Sequence, residues 1–181
     1  MKKFINSEMM VHVPLCTNKD PKDVLVVSSD AKNLTDEIQK HNAIEYKSVD
    51  ATLEALRDCA DKSVDVVICD MQGDAAILAH IARILKEDGL VSLVHPSLDD
   101  KEQNTTMMQI LANYFKIIMP YNLGDGSTAL LASKEYHPTA DIILQRSDML
   151  DGLDYYNCDI HLAAFAMPNY IRKEYLGIIK N

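Results

Sequence analysis

The stretch DVLVVSSDAKN, Asp23 to Asn33, passes from β-branched and apolar residues through small polar ones into LTDEIQKH (34–41), which has helical spacing. A strand feeding directly into a helix through a short polar turn is the unit from which parallel α/β sheets are built. Such a turn normally carries glycine where a ligand approaches the backbone, and this one has none.

The pattern repeats on either side of the turn. IEYKSV (44–49) reads as a strand and ATLEALRDCA (51–60) as a helix; VDVVICD (64–70) reads as a strand and AAILAHIARILKEDG (75–89) as a helix; LVSLVH (90–95) is again a strand. MMQILANYF (107–115) is helical, and KIIMPY (116–121) and STALLAS (127–133) flank a short connection containing Gly124 and Gly126. The alternation predicts an α/β, Rossmann-like methyltransferase fold: a mostly parallel sheet with an antiparallel edge hairpin, and ligands beyond the carboxyl ends of its strands. Gly89 fits a position just past a helix end, and Pro168 is expected to divide the C-terminal helix. The segment from Arg146 begins with turn-like residues and becomes helical at DIHLAAFAM.

A chain of 181 residues supports one domain with a proper core, and no linker or repeat divides it, so residues 1–181 are read as a single domain. With 48% apolar and 25% charged residues the whole chain is expected to fold. Its net charge of −9 and pI near 5.0 repel nucleic acid and anionic membranes and favour a cationic ligand. Cys16, Cys59, Cys69 and Cys158 lack the spacing of a zinc knuckle or a disulfide framework, no apolar run reaches membrane-spanning length, and MKKFINSEMM lacks a signal-peptide core. A cytoplasmic protein with reduced thiols is expected. The six histidines, at positions 12, 41, 80, 95, 137 and 161, show no metal-binding spacing, so no metal is expected.

Three stretches together resemble the polyamine aminopropyltransferases, the spermidine synthase family. YYNCDIHLAAFAMPNY (155–170) is similar to that family's C-terminal signature, SEMMVHVPLCTNKDPKDVLVV (7–27) to its Glu-Met helix and entry into the first strand, and VDVVICDMQGD (64–74) to the strand that ends in its catalytic aspartate. The resemblance implies transfer of the aminopropyl group of decarboxylated S-adenosylmethionine, a co-substrate and not a bound cofactor, to putrescine, by a homodimer. It assigns Asp70 as general base and amine anchor, Ser28, Asp30, Asp50 and Ala51 to the donor, and Asp74 and Tyr121, with Asp70, to the polyamine. The chemistry is consistent with these residue types. A diamine is a dication that must lose one proton before attacking the carbon beside a sulfonium, and a carboxylate both holds the cation and takes the proton.

The departures from the family pattern are as informative. Its Gly-Gly-Gly-Asp-Gly-Gly turn aligns with Ser28, Ser29, Asp30, Ala31, Lys32 and Asn33, so every glycine is replaced. Only SVDATLEAL is available where the family has a ribose-binding acid and, further on, an adenine-contacting pair. Asp50 and Ala51 align with that pair if one β-α unit is shortened or deleted; in a second alignment Ser48 stands at the ribose-binding acid, which is then missing. Asn6 replaces a substrate-facing tyrosine, Asp74 lies one residue from the family's second acid, and Met1 falls just before the Glu-Met helix, with no N-terminal β-domain ahead of it.

Plainer roles accompany each site. Asp70 and Asp50 suit helix N-caps, and Asp30 suits a turn. Tyr155 and Tyr156 suit packing, His12 and His161 structural hydrogen bonds, and SLDDKEQ (97–103) a solvated helix start. A pseudoenzyme of the same fold is the alternative to an active transferase, with a methyltransferase using the undecarboxylated cofactor a third reading.

Overall fold

The computed structural model describes residues 4–181; residues 1–3, and with them the reading of Met1, lie outside it. The elements follow in the order α1 (Phe4–Thr17), β1 (Asp23–Val27), α2 (Lys32–Ile38), β2 (Glu45–Val49), α3 (Leu53–Arg57), β3 (Val64–Cys69) and α4 (Ala75–Ile84). Then come β4 (Leu85–Val94), α5 (Lys101–Leu111), β5 (Ile117–Asn122), β6 (Thr128–Ser133), α6 (Leu144–Asp148), α7 (Cys158–Ala164) and α8 (Asn169–Glu174). Six strands form one sheet in the order β2-β1-β3-β4-β6-β5. β2, β1, β3 and β4 run parallel, and β6 and β5 complete the sheet antiparallel. The expected mostly parallel sheet with an antiparallel hairpin is therefore present.

Why these strands sit in the middle follows from their composition. β1 and β3 are apolar on both faces and buried nearly throughout, as strands covered on both sides must be. Leu25, Val27, Val67 and Cys69 face one core layer with Leu56 of α3, Ile81 of α4 and Met108 of α5. Val24, Val26, Val66 and Ile68, one residue out of phase, face a second layer with Met9 and Val13 of α1, Ile38 of α2 and Phe165. Truncating a side chain such as Ile68, fully buried between strands, costs about 2–5 kcal/mol. β2, by contrast, is the terminal strand and largely exposed.

The predicted helix over 75–89 is shorter than its sequence implies. α4 ends at Ile84 and Leu85 turns to extended geometry, so Lys86 and Glu87, good helix formers locally, and Asp88 lie in an irregular start to β4. Tertiary contacts override the propensity. Lys86 Nζ reaches Asp23 at 2.7 Å and Asp65 at 3.0 Å, and Lys134 Nζ donates to the carbonyls of Ala82 and Leu85 at 2.8 Å each, occupying the end of the helix. Gly89 thus lies within a strand and does not cap a helix. A Cβ there would fall 2.9 Å from Leu85 Cδ2 and 3.2 Å from the Asp65 carbonyl oxygen, so close packing is its role.

The C-terminal segment is fastened to α1. The Glu8 carboxylate, 1% exposed, accepts the backbone N–H groups of Asp154, Tyr155 and Tyr156 at 2.8–3.0 Å. Tyr155 in turn rests on Gly124 in the β5–β6 turn (φ +88°), where a Cβ would collide with its ring. The Arg146 guanidinium donates to the carbonyls of Leu15, Asn18 and Lys19 at the end of α1, which is why the stretch read as a turn contains the short helix α6. Pro168 separates α7 from α8, as predicted.

Candidate active site at the carboxyl edge of the sheet

Parallel pairing of β1 with β3 sets Val27 beside Cys69, so the next residues, Ser28 and Asp70, emerge together. The Asp70 N–H donates to the Val27 carbonyl at 2.9 Å, and the Ser28 N–H donates to the Val49 carbonyl at 3.2 Å, drawing the end of β2 and Asp50 to the same edge. Ser28 Oγ donates to Asp70 Oδ2 at 3.2 Å and accepts the Asp30 N–H at 3.1 Å. Ser28 is buried, Ser29, Asp30 and Asp50 are exposed and Asp70 is partly exposed, so a hydroxyl floor carries an acidic rim. Partial burial raises the Asp70 pKa above the ordinary carboxylate value and the Asp30 charge adds to this, against the Ser28 hydrogen bond. A carboxylate so tuned is a better proton acceptor at neutral pH than an ordinary aspartate.

Helix capping is distributed differently from the sequence expectation. Asp70 does not cap α4; Asp74 does, its Oδ1 accepting the Ile77 N–H at 3.0 Å. Asp50 does not cap α3; Thr52 does, accepting the Ala55 N–H at 3.2 Å, while the Asp50 carbonyl accepts the Thr52 N–H. The carboxylates of Asp70 and Asp50 are thus released from the structural role the sequence also allowed, and Asp74, placed on the polyamine by resemblance, is occupied by that role. Ala51 packs partly buried against the core layer containing Leu25.

Tyr121 requires a correction. Resemblance aimed it at the polyamine, but it is fully buried, its ring tilted against Phe165 with centroids 5.3 Å apart, and its hydroxyl is 2.6 Å from Ser92 Oγ. Burial pushes its pKa up.

Sequence reasoning left His95 without a role. It closes β4 at the same end of the sheet, with Nδ1 2.6 Å from Asn104 Oδ1 and Nε2 2.9 Å from Thr128 Oγ1. Asn104 also donates to the carbonyls of Pro96 and Ser97, so the loop after β4 is held in place. His95, Asn122, Thr128 and Tyr170 line a cavity of about 420 Å³, and Gln72, Asp74 and Thr106 line another of about 380 Å³. The available signal was the polar residue ending an otherwise apolar strand, LVSLVH. Among the described residues no three His, Cys, Asp or Glu side chains gather as a metal site, and no helix is long and apolar enough to cross a membrane.

Fold and rim together define a Rossmann-like α/β domain of the methyltransferase type. Residues 3–71 match the family described as the spermine/spermidine synthase domain. The polyamine aminopropyltransferase of Helicobacter acinonychis is 26% identical over 199 residues, spanning 93% of this chain and 76% of that protein. Those of Helicobacter pylori strain G27 and Clostridium beijerinckii are also 26% identical, over 98% and 97% of this chain. Among solved structures, the spermidine synthase of Thermotoga maritima superposes with a TM-score of 0.83 at 24% identity, covering 98% of this chain and 76% of that one. A spermidine synthase in complex with the transition-state analogue AdoDATO gives 0.84 at 23%. These two structures show the fold, and the sequence matches show that the chain resembles the polyamine aminopropyltransferases.

Proposed function

We propose that this chain, acting as one domain over residues 1–181, is an aminopropyltransferase that moves the aminopropyl group of decarboxylated S-adenosylmethionine to putrescine. The observation that supports this most is the adjacency of Ser28, Asp30 and Asp70 at the carboxyl ends of β1 and β3, with the Asp70 pKa raised. In this reading Asp70 holds one ammonium of the diamine and accepts its proton. The freed amine lone pair attacks the carbon beside the sulfonium, the carbon–sulfur bond breaks with its electrons on sulfur, and methylthioadenosine leaves. Because the donor is already a strong electrophile, alignment and deprotonation are what the protein must provide. Ser28, Asp30, Asp50 and Ala51 lie on the donor side, and the acidic rim suits a cationic substrate in a chain of net charge −9.

The test is steady-state turnover with both substrates. Asp70→Asn is expected to lower kcat/KM about 10²- to 10⁴-fold, the range for loss of a positioned general base, with urea unfolding unchanged. Full activity in Asp70→Asn overturns the assignment.

One observation favours a second reading, a non-catalytic protein of the same fold. Without glycine, the Asp30 N–H is already bonded to Ser28 Oγ and does not project toward a ligand. Calorimetry with methylthioadenosine separates the two: binding supports the enzyme, and no heat at saturating ligand supports the alternative.

A further inference from the structure

The two edges of the sheet are finished differently. At one, β5 is covered: the Ile118 N–H donates to the Lys180 carbonyl at 2.8 Å, and the Lys180 N–H donates to the Ile118 carbonyl at 3.0 Å. Pro120, two residues on, has no N–H to offer. At the other edge β2 pairs with β1 alone, and no strand among the described residues lies outside it. An open edge is a template for another strand, so natural sheets cover, break or charge theirs.

Which backbone groups of β2 are open follows from its pairing with β1. The Glu45 N–H donates to the Lys22 carbonyl at 2.7 Å, and the Val49 carbonyl accepts the Ser28 N–H at 3.2 Å. Backbone groups of alternate residues point to the same side of a strand. Glu45, Lys47 and Val49 therefore bond to β1, while the N–H and C=O groups of Tyr46 and Ser48 point outward. The Ile44 carbonyl lies across a trans peptide from the Glu45 N–H, so it points outward as well.

Charge then selects what can pair there. Glu45 and Lys47 are exposed, lie on one face of the strand, and have no ion-pair partner among the described residues. Three antiparallel registers would set the outward groups of Tyr46 and Ser48 against the same groups of a second β2. Centred on Ser48, Lys47 faces Val49; centred on Lys47, it faces itself. Centred on Tyr46, Lys47 faces Glu45 on both sides of the two-fold axis, in non-hydrogen-bonded pairs where side chains come closest. We propose that two copies of this chain join antiparallel along β2 in the register that sets Tyr46 opposite Tyr46, making their sheets continuous. Tyr46 exchanges both its backbone hydrogen bonds with Tyr46 of the second copy, and the Ser48 N–H meets the Ile44 carbonyl. The charges that keep unlike strands off this edge thus admit its own copy.

Sedimentation equilibrium of the full chain tests this, at about 0.15 M salt, where the net charge of −9 on each chain is screened beyond about 8 Å. The parent is expected to dimerise with a Kd of about 100 μM, the weak association that one strand edge supports. Lys47→Glu and Glu45→Lys each set like charges opposite one another and raise that Kd at least about tenfold. Glu45→Lys combined with Lys47→Glu restores both pairs and returns the Kd to within about threefold of the parent. Amide exchange reads the same edge without substitution: Tyr46 and Ser48 exchange more slowly at about 1 mM protein than at about 10 μM, while Lys47, already bonded to β1, changes little. The association is independent of the chemistry proposed at Asp70, and Asp70→Asn dimerises as the parent does. A parent that stays monomeric to about 1 mM, a Kd unmoved by either single swap, a double swap that stays monomeric, or Tyr46 and Ser48 exchange independent of concentration overturns the proposal.

Discussion

Two regions of this molecule use the same residue types to opposite ends. At the carboxyl rim, Asp70 has one side-chain partner, Ser28, and stands partly exposed beside Asp30 and Asp50. In the seam between α1 and the C-terminal segment, Glu8, His12, Tyr156 and His161 are buried and closely partnered: Glu8 accepts three backbone N–H groups, and Tyr156 OH is 2.8 Å from His161 Nδ1, whose Nε2 is 2.9 Å from the Pro138 carbonyl. SEMMVH and YYNCDIHLAAF build the seam, and the glycine-free SSDAKN lies at the rim.

The seam should therefore be where stability is lost. Glu8→Ala removes the acceptor of one buried and two part-buried N–H groups and is expected to cost about 3 kcal/mol, because an unpaired buried donor costs about 1–3 kcal/mol and water can reach the other two only in part. Asp30→Ala at the rim should stay within about 0.5 kcal/mol of the parent. Urea unfolding of the two variants measures the contrast, and a gap below about 1 kcal/mol between them breaks it.

Acid acts on the same seam with a smaller effect. Burial depresses His161 from 6.5 to about 4, so below 6.5 the unfolded chain takes up a proton that the native ring refuses. The His161 contribution is complete above 6.5 and is lost as pH falls from 6.5 toward 4, reaching about 2 kcal/mol by pH 5. His12 and His41 are lowered too and add in the same direction. Asp70, whose pKa is raised, has the opposite sign: the native state binds its proton more readily. Chemical denaturation at pH 7 and pH 5 decides the matter, and equal stability at the two values contradicts a neutral, buried His161.

How far all this could be read from the chain differs by element. β1, β3 and the β5–β6 hairpin were legible because β-branched runs bounded by turns leave few alternatives. The α4 boundary was not, because Lys86 and Glu87 favour helix locally and their strand geometry is imposed by Asp23 and Asp65, distant in sequence. At the rim, the strand ends that carry Ser28 and Asp70 were legible, but the hydrogen bond between the two was not, and which aspartate caps which helix turned on an offset of a few residues. The contacts of buried His12 with Glu37 and His41, 2.9 Å each, were invisible, since the partners lie 25 and 29 positions away and meet it only when α1 packs on α2.

Tyr121 gives the smallest expected effect and the sharpest discrimination between rim and seam. Its resemblance places it on the substrate and its geometry places it in the core, 2.6 Å from Ser92 Oγ with Met10 Sδ close by. Tyr121→Phe keeps the ring against Phe165 and removes one hydroxyl. Ser92 retains Met10 Sδ as an acceptor at 3.4 Å, so no donor is stranded and the loss is about 1 kcal/mol of stability. If the chain is the proposed aminopropyltransferase and the hydroxyl never meets substrate, the KM for putrescine stays within about twofold of the parent, a change worth less than one weak hydrogen bond. A rise of about tenfold would mean that the tyrosine leaves the core when the substrate arrives. That outcome would require the Tyr121–Ser92 bond to break and Phe165 to shift, making the core beneath the β5–β6 hairpin part of the working site and not only its support.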